Sequence, residues 1–561
     1  MDKPLPEKKH FSLVSFLKKR YRGFSQTERF LSHVLFVISL SSLLFIFINI
    51  NKNFLIDTPR SGGTLSEGIV GIPRFINPLF AERDVDQDLT SLVYSGLTRR
   101  TPQGNLIPDL AESWEISEDG QQYTFRIADD ASFHDGTPVT AEDVVFTITA
   151  IQDSLAKSPY ERDWDGIVIE ALDEKTVIFR LPKAFSPFIQ NTTLGILPSH
   201  IWKDLGREDY LFSRYNLTPI GSGPYEVVST NRSPSNINKY TLRSFKNYQL
   251  GRPLIDSVDI LFFDTQENLE RAYASGIISS GLFESSDDDD HIITFSETFA
   301  LFFNQTKLPS LQDKDLRKGI YKIMKDSEIA ENISTTTTET LNSFVPTKNT
   351  PKDHTPFSDV IDEDTEELIE EAGWTKGEDN IWKNKQSESL SFTISTADNP
   401  LLIEAGQHIV KVLKENGIVA KLEIFSSDDF LQQVIRPRNF EVLLFGQQIN
   451  HGLDLYGFWH SSQRNDPGLN IAQYTNLDVN KELEGLRGPQ TPEEYQEVLT
   501  NLLTVLEEDI PAIPLFSRNI HYTLPEDFFS TLPNLIVYPS ERFNGIYQWH
   551  LEKDSLWGIF K

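Results

Sequence analysis

Between Phe30 and Ile48 the chain reads FLSHVLFVISLSSLLFIFI: fourteen apolar residues, four serines, His33 and no formal charge. Such a run can be buried in a protein core or in a bilayer. As a helix it rises about 28 Å, close to the ~30 Å hydrocarbon thickness of a membrane. The flanks decide between the two. Residues 1–29 hold eight Lys or Arg against Asp2, Glu7 and Glu28, a net +5, whereas the other 44 basic and 79 acidic residues give −35. This asymmetry predicts a basic cytoplasmic segment over 1–29, one transmembrane helix over 30–50, a polar linker over 51–61 and the bulk of the chain on the extracytoplasmic side. Asn49, Ile50, Asn51 and Lys52 offer no small-x-small cleavage signal, so an uncleaved anchor in the cell membrane is expected.

The part beyond the anchor is too long for one ordinary domain. Apolar residues make up 39% of the 561 and charged residues 24%, a globular composition. Cysteine is absent, which excludes disulfides, thiolate metal sites, a Cys nucleophile and a lipidated cysteine. A net charge of −30 argues against nucleic acid as a partner.

Strand patterns occur at 62–70, at 113–127 around an Asp119–Gly120 turn, at 172–181, and at 225–229, 239–245 and 258–263. Thr140 and Asp143 begin a capped helix over 140–153, and helices are predicted at 266–275, 313–325 and 363–373. From 390 the pattern alternates: strand 390–395, helix 401–415, strand 419–425, helix 428–434, strand 440–445, helices 477–486 and 492–507, then extended chain over 511–516. Alternation of this kind predicts α/β layers.

Catalytic motifs are scarce. The chain contains no P-loop, no G-x-S-x-G and no H-E-x-x-H. Asp84, Asp86 and Asp88 resemble the start of a calcium loop, but Leu89 stands where Gly is needed and Ser95 where Glu is needed. His134–Asp135 beside Gly136 and Pro138 reads as a turn, Asp287–Asp290 as a solvated loop, and His451 and His460 are not at a ligating spacing. No catalytic residue, metal site or cofactor is expected.

Several stretches in order resemble the extracellular solute-binding protein family 5, the dipeptide- and oligopeptide-binding proteins of ABC importers. They are GGTL at 62–65 with Asn77–Pro78, LVYSGL at 92–97, PDLAESWE at 108–115, FHDGTPVTAEDVVFT at 133–147, GSGPYEV at 221–227, LRKGIYKIMK at 316–325, EAGW at 371–374 and DIPAIPL at 509–515. The most specific is that of 133–147. The resemblance implies an α/β, two-lobed fold of the periplasmic-binding-protein type II kind with an additional inserted domain. Lobe I would comprise 62–90, 200–297 and 517–561, the inserted domain 91–199, and lobe II 298–516. The extended segments 300–304 and 511–516 would cross between lobes.

The resemblance also implies a non-enzymatic protein that captures oligopeptides by lobe closure and delivers them to the permease subunits of an ABC transporter. Ligand contacts would come from Glu82, Arg83 and Asp84 after the Asn-Pro position. A second set would come from the segment FGQQINHGLDLYGFW at 445–459, which resembles the cleft wall carrying the ammonium-binding aspartate. Asn450 stands at the aspartate's own position, Asp454 is the candidate substitute, and Tyr456, Phe458 and Trp459 are candidate pocket walls. Arg317 and Lys318 are expected on a helix surface or between lobes. Other ligands, such as a nickel chelate or an oligosaccharide, remain open on the same fold, as do a tethered solute sensor and a tethered hydrolase.

Overall fold

The computed structural model describes residue 20 and residues 23–232, 237–284, 291–334, 336–352, 354–357 and 363–557. Most of the basic segment and the acidic run 287–290 lie outside the described residues. The chain divides into two compact units, 1–60 with 552–561, and 61–551.

In the first unit a helix runs from Gln26 to Phe54. Ser25 and Glu28 cap it reciprocally: Ser25 N donates to Glu28 Oε2 at 2.8 Å and Glu28 N to Ser25 Oγ at 3.4 Å. The stretch Gln26–Ile48 is long and apolar enough to cross a membrane, with a mean hydropathy of 2.4 and no part packed inside protein. Two of its polar side chains turn back on the helix. Ser32 Oγ donates to Glu28 O at 2.7 Å, and His33 Nδ1 lies 2.7 Å from Arg29 O. The helix continues to Phe54, and Leu55–Arg60 forms a strand, a course that the consecutive apolar residues Phe54, Leu55 and Ile56 favour over open coil.

The second unit is built on one long sheet. Its strands follow in the order 419–425, 391–397, 442–448, 297–303, 512–523, 280–283, 64–70, 257–263, 237–244 and 225–232. Strand 391–397 is parallel to both 419–425 and 442–448, with helix Pro400–Glu415 as the connection. A separate antiparallel sheet contains 111–116, 122–127, 176–180 and 168–171. Gly120, at φ +66°, turns its first hairpin as the Asp-Gly signal predicts. The single strand expected over 172–181 is a second hairpin. Asp173 Oδ1 accepts from Lys175 N at 2.8 Å and turns the chain between Val168–Ala171 and Thr176–Arg180. The helix expected over 428–434 is one α turn followed by a π turn, Phe430–Ile435.

Two large hydrophobic cores form along the sheet, beside a small third cluster of Leu269, Ala272, Ile278 and Phe283. One draws on residues between Phe299 and Phe516, the other on residues from Leu65 to Phe295 and from Tyr522 to Trp549. Strand Ala512–Thr523 serves both. Its first half pairs with 297–303 (Phe299 opposite Phe516) and its second half with 291–295 (Ile293 opposite Ile520). Residues between Leu92 and Leu197, within the span 91–199 expected as an inserted domain, contribute to the second of these cores.

Two sequence motifs acquire a steric reason here. Gly223 N donates to Val93 O at 2.8 Å and so caps the helix Asp84–Val93. A Cβ on Gly221 would stand 2.0 Å from that same oxygen, so GSG is what lets the two segments touch. His134 locks the other side, with Nε2 3.0 Å from Gly223 O and Nδ1 accepting from Gly221 N at 3.3 Å. Arg317, expected on a helix surface or between lobes, is buried. Its guanidinium donates to Leu311 O, Asp509 O and Ile510 O at 2.6–3.0 Å, which satisfies carbonyls at the end of helix Pro492–Asp509.

Candidate functional site

Where strand 512–523 passes from one core to the other, a cavity of ≈ 740 Å³ opens. Ile69, Leu282 and Phe295 wall it on one side, and Phe299, Leu401 and Leu402 on the other. Its floor is a buried charge cluster. Arg542, from the turn Pro539–Phe543, holds Asp88 of helix Asp84–Val93 through Nη1 and Nη2, both at 2.8 Å, and Glu67 of strand Thr64–Val70 through Nε at 3.0 Å and Nη2 at 2.9 Å. Ser280 and Tyr522 donate to the other oxygen of Glu67. Burial pushes the Glu67 carboxyl upward, against the pull of Arg542. On the wall, Arg518 grips Glu297 with Nε at 2.6 Å and Nη2 at 3.1 Å, its guanidinium over the Phe295 ring.

Both arginines of the cavity are thus already neutralised. Glu82, Asp84 and Glu284 also line it, and among the described residues none of the three forms an ion pair. Burial and the neighbouring Asp88 raise the Asp84 carboxyl. The cavity therefore presents uncompensated negative charge in a partly apolar setting, with Gln448 and Asn519 as neutral polar partners. This suits a cationic group attached to an otherwise amide-like ligand.

The expected contacts divide. Glu82 and Asp84 line this cavity. Arg83 between them does not; its Nη1 donates to Ile72 O at 3.0 Å. Asn450 lines a neighbouring chamber instead. Asp454 is held by Arg487, whose Nε and Nη2 reach its two oxygens at 2.8 and 2.5 Å, so its charge is already matched. Tyr456 lies against that guanidinium, 3.8 Å from the ring centroid, and stacks on His460 at 4.0 Å. Trp459 is in the core, edge-on to Phe344 at 4.9 Å, and Phe458 packs against the same core. The useful part of the 445–459 segment is its start, where Gln448 leaves the strand into the cavity. Glu284, Arg518 and Asn519 carry no motif, and only the topology brings them here.

The three aspartates of DVDQD do three different things. Asp84 faces the cavity, Asp86 accepts from Arg74 N at 2.6 Å and Phe75 N at 3.0 Å, and Asp88 pairs with Arg542. Among the described residues no three His, Asp or Glu are grouped to hold a metal. His134 is occupied by the GSG turn, and Asp135 lies 2.8 Å from His200.

Comparison with known proteins agrees with this architecture. Oligopeptide-binding protein AppA of Bacillus subtilis is 24% identical over 522 residues, which cover 88% of this chain and 93% of that protein. Its structure in complex with a nonapeptide matches with a TM-score of 0.63 over 88% of this chain and 100% of the other. The ABC transporter substrate binding protein CtaP of Listeria monocytogenes, 25% identical, matches with a TM-score of 0.72 over 88% and 100% of the two chains. NikZ of Campylobacter jejuni, in complex with Ni(L-His), is 23% identical with a TM-score of 0.63 over 87% and 99%. Residues 105–468 match the bacterial extracellular solute-binding proteins, family 5 Middle. The chain belongs to that family of extracellular solute-binding proteins.

Proposed function

We infer that this chain is the ligand-binding component of an ABC importer. Its N-terminal helix tethers it to the cell membrane, its outer part captures oligopeptides by closure of two lobes, and it passes them to permease subunits without chemical change. The observation that carries this reading is the cavity of ≈ 740 Å³ walled from both cores and holding three carboxylates that form no ion pair among the described residues. An extended peptide brings an N–H and a C=O at every residue, and these need partners once water is expelled. Its ammonium end needs a carboxylate. Glu82, Asp84 and Glu284 supply the second need; Gln448, Asn519 and the adjoining strand edges supply the first. The change of core at 295–299 and again at 516–522 supports lobes that hinge about the two crossing strands. The peptide-binding relatives support the ligand class.

The test uses the detergent-solubilised full chain and a mixed-sequence peptide pool, prepared once with free amino termini and once N-acetylated. Glu82→Gln combined with Asp84→Asn should weaken the free-amine pool by roughly 10- to 100-fold and barely change the acetylated pool. Bound peptides should be recovered intact. Equal losses for both pools would contradict the assignment of these carboxylates, and cleaved peptides would contradict a purely binding role.

A further inference from the structure

The contacts of Arg487 are not confined to one core. Leu486 and Tyr456 belong with the core between Phe299 and Phe516, whereas Phe185 packs against the other. The two groups of residues meet at three points. Ser186 donates through N to Arg487 O at 3.0 Å and through Oγ to Leu486 O at 3.1 Å. The Arg487 guanidinium lies 5.3 Å from the centroid of the Phe185 ring and 3.8 Å from that of Tyr456, both within the ~6 Å reach of a cation–π contact. A Cβ on Gly452 would stand 3.0 Å from Pro187 Cβ, so glycine there lets the two segments come together. None of these residues belongs to the strands 297–303 and 512–523 that cross between the cores.

The two halves of this contact are built differently. Asp454, Tyr456 and Arg487 all come from the part of the chain that forms one core. Asp454 accepts from Nε and Nη2 of Arg487, a fork that fixes the guanidinium plane, and Tyr456 is backed by the stacked ring of His460. Relative motion of the cores leaves these contacts intact. The contacts to Phe185, Ser186 and Pro187 exist only while the cores are together. A planar cation held rigidly on one side and set against an aromatic ring on the other gives a contact that forms without first ordering a long side chain. Its place fits a role in enclosure. Gln190 and Asn191 on one side, and Asn450 and His451 on the other, lie a few positions along the chain and line the chamber beside the main cavity.

We propose that Phe185, Ser186 and Pro187 form with Arg487 and Gly452 a clasp that is made when the lobes close and broken when they open. It sets how long a captured ligand is held, not which ligand is taken. Asp454 is its positioning residue: it acts through Arg487. The proposal rests on the reading of capture by closure given above.

The experiment measures association and release of a labelled mixed-sequence peptide pool on the solubilised full chain. Arg487→Lys keeps the charge beside Asp454 but loses the planar face. Phe185→Leu keeps the apolar bulk but loses the ring. Each should speed release by roughly 2- to 30-fold and leave the association rate unchanged, and Asp454→Asn should act in the same direction. A cross-link tests the clasp without touching Arg487. The chain has no cysteine, so Pro187→Cys with Gly452→Cys gives one defined thiol pair. Oxidised after loading, this variant should hold its peptide, and reduction should restore release. Wild-type release rates in Arg487→Lys and Phe185→Leu, a slowed association in place of faster release, failure of the thiols to cross-link, or normal release from the oxidised variant would each overturn the clasp while leaving peptide binding in place. Wild type that binds no peptide would overturn the peptide reading, and this assignment with it.

Discussion

At the scale of single residues, His134 has a consequence that can be measured without any ligand. Burial pushes its pKa down to about 4 from 6.5, because the ring sits against Phe245 and between the carbonyl and amide of the GSG turn. The folded chain keeps the ring neutral, while the unfolded chain takes up a proton below pH 6.5. Stability should therefore be constant above about pH 6.5 and fall as the pH drops towards 4, by up to roughly 3 kcal/mol at 1.36 kcal/mol per unit. His134→Gln should remove that part of the pH slope in denaturation curves recorded between pH 7 and 4.5. An unchanged slope would contradict the assignment. Individual residues are also where the sequence was hardest to read. Asp84, Asp86 and Asp88 are chemically identical and two positions apart, and only their neighbours give them separate tasks. Asp454 looked free because its partner, Arg487, lies far along the chain. Tyr456 and Trp459 looked like pocket walls because an aromatic side chain suits a core and a pocket equally well.

At the scale of elements, Arg542 ties a strand, a helix and a turn from the two ends of the chain to one point beneath the cavity. Removing it strands Glu67 and Asp88 in a low-dielectric site without compensation. Arg542→Ala should cost about 3–5 kcal/mol of unfolding free energy, read by chemical denaturation; a loss under about 1 kcal/mol, the value of an exposed pair, would contradict the burial argument. Elements with local signals were legible. The capping boxes at Thr140/Asp143 and Thr491/Glu494 start the helices Ala141–Gln152 and Pro492–Asp509. Strand 512–523 was legible only to Phe516. Its second half, SRNIHYT, has polar residues among the apolar ones, and its strand character comes from pairing with 291–295 and 280–283. That half carries Arg518 and Asn519, which is why two of the cavity's polar residues escaped notice.

At the scale of the whole molecule, the charge step from +5 to −35 across the apolar run predicts a topology that can be checked. Protease added to intact spheroplasts should digest the large unit and leave the first tens of residues protected; full protection of the chain would contradict an extracytoplasmic placement. The family motifs made the α/β architecture readable, since they occur in order along the outer part. The cavity's charge balance was not readable, because Glu82, Asp84, Glu284 and Arg518 meet only when the sheet is assembled. On the proposed function, the two cores close around a peptide in that cavity. The chain contains no cysteine, so spin labels can be placed uniquely at Glu267→Cys and Asp398→Cys. Both are exposed, and they neighbour the cavity-lining Gln266 and Asn399 on opposite walls. The most direct measurement is the label-to-label distance distribution with and without the free peptide pool. A shift to a shorter, narrower distribution on peptide addition is the result expected; one distribution, unchanged at saturating peptide, would contradict capture by closure.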